Sequence, residues 1–525
     1  MKRLRQLWRT RIGFLALLVA LTLAGPPAGL AAPPAPIVSN GRSLAERVIE
    51  HKLVNGLTLL MVERHQTPVV SINVTFGVGG IDEVNGITGV AHLYEHMAFK
   101  GTKTIGTKDF AQEQPLLAEL DRLNGEIERE RRKLRAEGRD TSPELAAKRD
   151  QFKQAQDRAD AFVVGNEMAL LYQRHGGVGL NASTGKDVTR YTVSLPSNRL
   201  PLWAAIEADR LARPVLREFY KERAVVMEER RLRTDDSPNG LLYEAFAAAA
   251  FEAHPYGFPT IGWASDIQSL TPAETETFFR TYYGPANAVI AIVGDIDPKE
   301  VIALVERTFG AVPGAPPPPS VVTVEPPQKG ERRVDVEFDA EPILILGYHK
   351  PSLESPDDVV FDVIDSVLSE GVTSRLYRRL VREKRLAAGI STDSSFPGVR
   401  DPNLFVVSAT PLAPHTTAEI EAAIYEELER LKTEPVTAQE LQRVLNNLDA
   451  GMVRSLRSNG GLASQLAYYQ TVARDWRYVL KARERIAAVT PADIQRVARH
   501  YLVKTNRTVA TLVRPAAPHD AKGKP

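Results

Sequence analysis

One small set of residues occurs twice in this 525-residue chain at a fixed separation. Thr271-Pro272-Ala273, Tyr282, Asn287 and Ala291 recur as Thr490-Pro491-Ala492, Tyr501, Asn506 and Ala510, every step being 219 residues. Asn239-Gly240 recurs as Asn459-Gly460, one residue further apart. Keeping several internal spacings through both stretches implies a duplicated folding unit. Two similar domains also suit a chain too long for one ordinary core. The boundary is expected at 313–330, where Pro316-Pro317-Pro318-Pro319 and Pro326-Pro327 make a semi-rigid linker. That leaves a first domain over 45–312 and a second over 331–513.

Within the first domain, Leu57 to Val62 and Val69 to Phe76 are rich in β-branched residues and partly alternate, as strands do. Leu180 to Thr184 and Arg190 to Leu195 read the same way, and helices follow from about Pro201 and over Tyr220 to Arg233. Strands feeding helices predict an α+β fold, with a mixed sheet packed by helices in each duplicated domain. Residues 116–174 differ in character. Leu116, Leu120, Leu123, Ile127 and Leu134 space like a helix seam among charged residues, Gly138 breaks the run, and Ser142-Pro143 restarts it as cap and first helical position. A charged helical hairpin inserted in the first domain is expected. It fits either a partner-docking arm or a solvated decoration.

The ends read differently again. Lys2, Arg3, Arg5, Arg9 and Arg11 precede the apolar run Phe14 to Ala24, and Gly29-Leu30-Ala31 puts small residues where a signal peptidase cuts. Residues 1–31 are expected to be a cleaved signal peptide. An uncleaved anchor is the other reading, but the apolar run is short and Pro26-Pro27 interrupt it. Export to a bacterial periplasm is the expected localisation. The polar, Pro-rich tail 514–525 is expected to be disordered. A net charge of +1 argues for no nucleic-acid partner.

The chain has no Cys, which excludes thiolate catalysis, disulfides and Cys-ligated metal. A metal site would have to use His and carboxylates. His92-Leu93-Tyr94-Glu95-His96 lies on a run that reads as helix, and its two His, four apart, share one face. This is the His-x-x-Glu-His order of inverted zincins, with Glu95 placed as general base. A catalytic zinc takes three protein ligands and keeps one position open, so a third ligand is needed. The helix over Tyr220 to Arg233 carries Glu222, Glu228 and Glu229. Moving 219 residues on, Glu222 becomes Leu441 and Glu229 becomes Leu448, and no His pair stands near the equivalent of the first helix. Carboxylates kept in one half suggest that they act there, with the second half forming a wall of the site.

On these residues the chain resembles the pitrilysin family of zinc peptidases, which includes insulin-degrading enzyme and mitochondrial processing peptidase. The likeness rests on His92 to Thr102 and Glu222 to Glu229, and extends to His254-Pro255-Tyr256-Gly257 and Asn287 to Asp295. It covers the mature chain apart from the arm. The resemblance implies that Glu229 is the third ligand of one zinc ion per chain, and that Glu222, two turns earlier on the same face, supports a His ligand from behind. Glu228 points about 100° away and reads as a surface charge. The interval from His96 to Glu229 exceeds the family's, and the inserted hairpin accounts for the excess.

Metal-assisted amide hydrolysis is the implied chemistry, with Glu95 taking a proton from the attacking water and passing it to the leaving amine. Substrate would lie along the strand holding Asn181, Ala182 and Ser183, in β-augmentation. The same residues also read as an ordinary core strand. The family's full site draws an Arg, and seven residues later a Tyr, from its zinc-free half. Here Arg382 is present, but Gly389 stands in the Tyr position. A zinc-free homologous subunit that supplies Arg and Tyr, making a heterodimer, is therefore expected. The resulting expectation is an exported zinc-dependent endopeptidase acting on peptides or unfolded polypeptide segments. The alternative is a non-catalytic assembly or docking subunit on the same fold.

Overall fold

Thr271 and Thr490 start two helices with the same reciprocal hydrogen bonds. Glu274 N donates to Thr271 Oγ1 (3.3 Å) and Thr271 N to the Glu274 carboxylate (2.9 Å), while Asp493 and Thr490 repeat the exchange at 3.2 and 3.0 Å. Pro272 and Pro491 open the helices Pro272–Tyr282 and Pro491–Tyr501, where no N–H is needed. At the far ends, Asn287 Nδ2 donates to Tyr282 O (2.8 Å) and Asn506 Nδ2 to Tyr501 O (2.9 Å). Each amide steers its helix into a strand, Ala288–Gly294 or Arg507–Val513, on which Ala291 and Ala510 are fully buried. The repeated residues are thus those that cap a helix and turn it into the closing strand.

The computed structural model describes residues 38–39 and 42–515. The expected signal peptide, 1–31, lies outside the described residues, as does the tail beyond Pro515. The first sheet runs Ile49–Lys52, Thr58–Glu63, Ala288–Gly294, Val69–Phe76, Thr189–Pro196, Val178–Thr184. The second runs Arg332–Glu337, Arg507–Val513, Ile343–Lys350, Asn403–Pro411, Ala387–Phe396. In both, the closing strand pairs parallel to one neighbour, Thr58–Glu63 or Arg332–Glu337, and antiparallel to the other. The two domains share one topology, and the fold is two α+β units. Equivalent strands are 274 residues apart at Val69 and Ile343 but 219 apart at Ala288 and Arg507, and the inserted arm accounts for the difference.

One repeat pairing needs correction. Ser237 and Ser458 cap the helices Pro238–Ala250 and Asn459–Val472, and they accept from Gly240 N (3.2 Å) and Gly461 N (3.0 Å). Gly240 therefore corresponds to Gly461, not Gly460. Sequence matching favoured the Asn-Gly dipeptide over the cap.

These two helices are exchanged between domains. Leu462, Ala463, Leu466 and Ala467 of the second domain pack on Leu60, Val62, Val289 and Val293 of the first sheet. Leu242 and Phe246 of the first domain pack on Ile345, Val406, Ala510 and Leu512 of the second sheet. The other faces carry the domains' own helices over two further cores. Arg400 adds an ion pair to Asp82 at 2.9 Å across the same junction. Residues 313–330 form no helix or strand, and Glu325 ties them down by accepting from the backbone N–H of Glu252, Ala253 and His254.

The arm consists of the helices Phe110–Ala136 and Pro143–Asp160. Ser142 Oγ accepts from Leu145 N at 3.0 Å. Leu120, Leu123, Ile127 and Leu134 are buried against Leu145, Phe152, Ala155 and Ala159. The arm starts earlier than the expected residue 116, because Asp109 caps the first helix ahead of Pro115. It also ends earlier than 174: Glu167–Arg174 is a separate helix whose Met168 and Tyr172 enter the first core.

Candidate metal centre

The helix Val90–Met97 buries Val90, Ala91, Leu93, Tyr94 and Met97, which leaves His92, Glu95 and His96 half-buried on its other face. Its cap, Gly89, has φ +86°, and a Cβ there would come within 2.4 Å of Ile261 O. Gly89 offers no side chain, so Glu83, 1% exposed, supplies the cap and accepts from Gly89 N (2.8 Å) and Ala91 N (2.9 Å). Burial pushes the Glu83 carboxyl up to about 7. No local spacing signal announces this residue.

The helix Phe219–Arg230 packs against the first and brings the third donor. Glu229 Oε2 lies 3.7 Å from His92 Nε2 and 3.3 Å from His96 Nε2. Four ligands at zinc's usual bond lengths of about 2.0–2.1 Å stand roughly 3.3–3.4 Å from one another in a tetrahedron. The two Glu229 distances are close to that spacing, so the three donors could hold a zinc ion. Among the described residues they form the one set of three His or carboxylate donors whose atoms all lie within 4.8 Å. Burial, then the charges of His96 and Arg233, lower His92 to about 3, so it is neutral, the form in which imidazole binds metal.

Glu222 stands behind His96, with Oε2 3.4 Å from Nδ1. Its other oxygen is 2.5 Å from Lys100 Nζ, which also reaches Glu218 at 3.1 Å. Burial works to raise Glu222, but the hydrogen bonds from His96 and Lys100 outweigh it and hold the carboxyl below its ordinary value. Glu95 has the opposite balance. Burial raises its pKa, and the hydroxyl of Thr184, which donates to Oε2 at 2.6 Å, opposes that rise. A raised pKa makes the Glu95 carboxylate a stronger proton acceptor than an ordinary one.

Thr184 ends the strand Val178–Thr184, the outer edge of the first sheet, whose one strand neighbour among the described residues is Thr189–Pro196. Asn181, Ala182 and Ser183 lie on that edge, and Ala182 packs against the first core. In the second domain Leu441 is buried in the core and Leu448 packs against it. Arg382 is exposed in the turn Tyr377–Glu383, and Gly389 lies on the outer edge strand Ala387–Phe396 with no atom within 4 Å of where a Cβ would point. A cavity of about 680 Å³ opens at the root of the arm, but none of His92, Glu95, His96 and Glu229 lines it.

Residues 58–140 match the family described as Insulinase (Peptidase family M16), and residues 269–448 match its second unit, described as Peptidase M16 inactive domain. The chain belongs to the M16 peptidase family. Among M16 relatives, the zinc protease PqqE of Helicobacter pylori is 29% identical over 468 residues, 88% of this chain and 91% of that protein. The crystal structure of a protease from Helicobacter pylori superposes with a TM-score of 0.74 at 28% identity, over 89% of this chain and 99% of that one. The first half of the periplasmic protease PqqL from Escherichia coli shares the fold, with a TM-score of 0.64 at 18% identity over 89% and 92% of the two chains.

Proposed function

We propose that this M16 protein is an exported zinc endopeptidase that cleaves peptides or unfolded segments, with Glu95 as general base. The observation that carries the reading is the fit of His92, His96 and Glu229 to one tetrahedral ion, with Glu95 on the same helical face. A zinc ion held there supplies a Lewis acid that polarises the scissile carbonyl and acidifies water. Glu95 takes the proton of the attacking water and delivers it to the leaving amine. Thr184 holds the Glu95 carboxylate by a hydrogen bond from the end of the edge strand. The unpaired edge at Asn181, Ala182 and Ser183 offers backbone donors and acceptors to an extended peptide. Export rests on the basic and apolar pattern of residues 1–31.

We further propose a zinc-free homologous partner. Gly389 stands where the family's Tyr would donate to the substrate carbonyl. Full-length PqqL offers a precedent in shape: this chain covers 48% of it, so that protein joins a unit of this fold to a second half. The test is digestion of a peptide library by the mature chain, alone and with the product of an adjacent homologous gene. Cleavage that needs the second protein supports both proposals. Full activity alone refutes the partner. Bound zinc without cleavage in either sample refutes the peptidase and favours the docking subunit.

A further inference from the structure

Arg233 is bonded to the carboxylate of the metal centre without being a donor to it. Its Nη1 lies 2.8 Å from Glu229 Oε1, whereas Oε2 is the oxygen that faces the two imidazoles at 3.7 and 3.3 Å. The two oxygens of Glu229 are divided between a guanidinium and the His pair.

The setting is more ordered than an exposed i,i+4 pair requires. The α-helix stops at Arg230 and continues as one π-helical turn, Arg231–Asp235. Such turns are rare and concentrate at functional positions. Helix Pro238–Ala250 abuts this turn through Gly240, where a Cβ would come within 2.1 Å of Arg233 O and 2.7 Å of Thr234 Cα. Arg230, just before the turn, pairs with Glu244 of the same helix at 2.8 Å and donates to Gly262 O at 2.6 Å. The Arg233 backbone is thus held against that helix, although its side chain is 74% exposed. Arg231 is engaged elsewhere, by Glu228 and Asp236, and does not compete for Glu229.

We propose that Arg233 is a positioning residue that keeps Glu229 a one-oxygen ligand by occupying Oε1. The inference rests on the zinc reading above. A carboxylate free to swing can offer both oxygens, and the second would crowd the position that a catalytic site must leave open. Residues that bond a ligand's far side set its orientation and tune its basicity. Arg suits the task better than Lys, because its planar fork fixes direction as well as charge.

The test uses Co²⁺ as a probe, because four-coordinate cobalt absorbs visible light several-fold more strongly than five- or six-coordinate cobalt. The wild-type chain, Arg233→Gln and Arg233→Lys are loaded with Co²⁺, and the visible spectrum, metal affinity and thermal midpoint are recorded. Expected are an intense four-coordinate spectrum for the wild type, a several-fold weaker one for Arg233→Gln at an unchanged midpoint, and partial recovery in Arg233→Lys. An exposed pair contributes little to folding, so the variants should fold. Arg233→Gln with the wild-type spectrum and affinity overturns the proposal, as does a weak spectrum in the wild type. A wild-type chain that binds neither Co²⁺ nor Zn²⁺ overturns the metal reading itself, which separates the two failures.

Discussion

Thr184 Oγ1 lies 2.6 Å from Glu95 Oε2 and donates to it, joining the edge strand to the helix that carries both imidazoles. One hydroxyl therefore links the proposed peptide-binding edge to the proposed base. The bond favours the ionised carboxylate and counters the upward push of burial. Thr184→Val removes it at nearly constant shape. The Glu95 pKa then rises, and because the base must be ionised, the acid limb of the kcat/KM profile moves to higher pH. Activity at neutral pH should fall roughly tenfold. An unmoved acid limb would separate Thr184 from the base.

Glu222 touches His96 and Lys100 but not the other two donors. Glu222→Gln should weaken zinc binding about 10- to 100-fold, the range for losing a carboxylate behind a His ligand. Competition against a chromogenic chelator reads this directly. Unchanged affinity would make Glu222 part of the Lys100 and Glu218 charge cluster alone.

Thr271 and Thr490 make the same cap in two domains, so their loss should cost the same. Thr271→Ala and Thr490→Ala should each destabilise by about 1 kcal/mol in urea melts. A strongly unequal pair would mean that the repeat has diverged in energetics while keeping its geometry.

Asp362 gives a pH prediction away from the site. It lies on the helix Asp358–Ser369, where burial and then the Asp358 charge push it up to about 7 from an ordinary 3.8. Below the ordinary value both states are protonated. Between roughly pH 4 and 7 the unfolded chain releases a proton that the folded chain keeps, so stability falls as pH rises through that window. Asp362→Asn retains an acceptor for Ser394, whose hydroxyl donates at 2.7 Å, and cannot ionise. The variant should match the wild type near pH 4 and exceed it at pH 8 by about 4 kcal/mol. Equal melts at both pH values would count against the raised pKa.

Local chemistry was legible in the sequence where spacing along one element decides it. His92 and His96 share a helical face whatever surrounds them, and the repeat singled out Thr271 and Thr490, though not their role as caps. Glu222 and Glu229 could be paired with each other by spacing. Joining them to His96 took a family resemblance, because the arm lies between. Thr184 and Glu83 act through contacts that no local pattern marks, and Arg233 stands four residues after Glu229 in a spacing common to surface ion pairs, which does not single it out. The exchange of Pro238–Ala250 and Asn459–Val472 was hidden for a related reason. An apolar helix face shows that it will be covered, but not by which sheet.

The most direct measurement is zinc content and peptide cleavage on one preparation of the wild type and of Glu95→Gln, each with the zinc-free homologue present. The prediction is one zinc per chain in both proteins and cleavage in the wild type alone. Cleavage that survives Glu95→Gln, or a wild-type chain that holds no zinc, would contradict the assignment of His92, Glu95, His96 and Glu229 to a zinc peptidase centre.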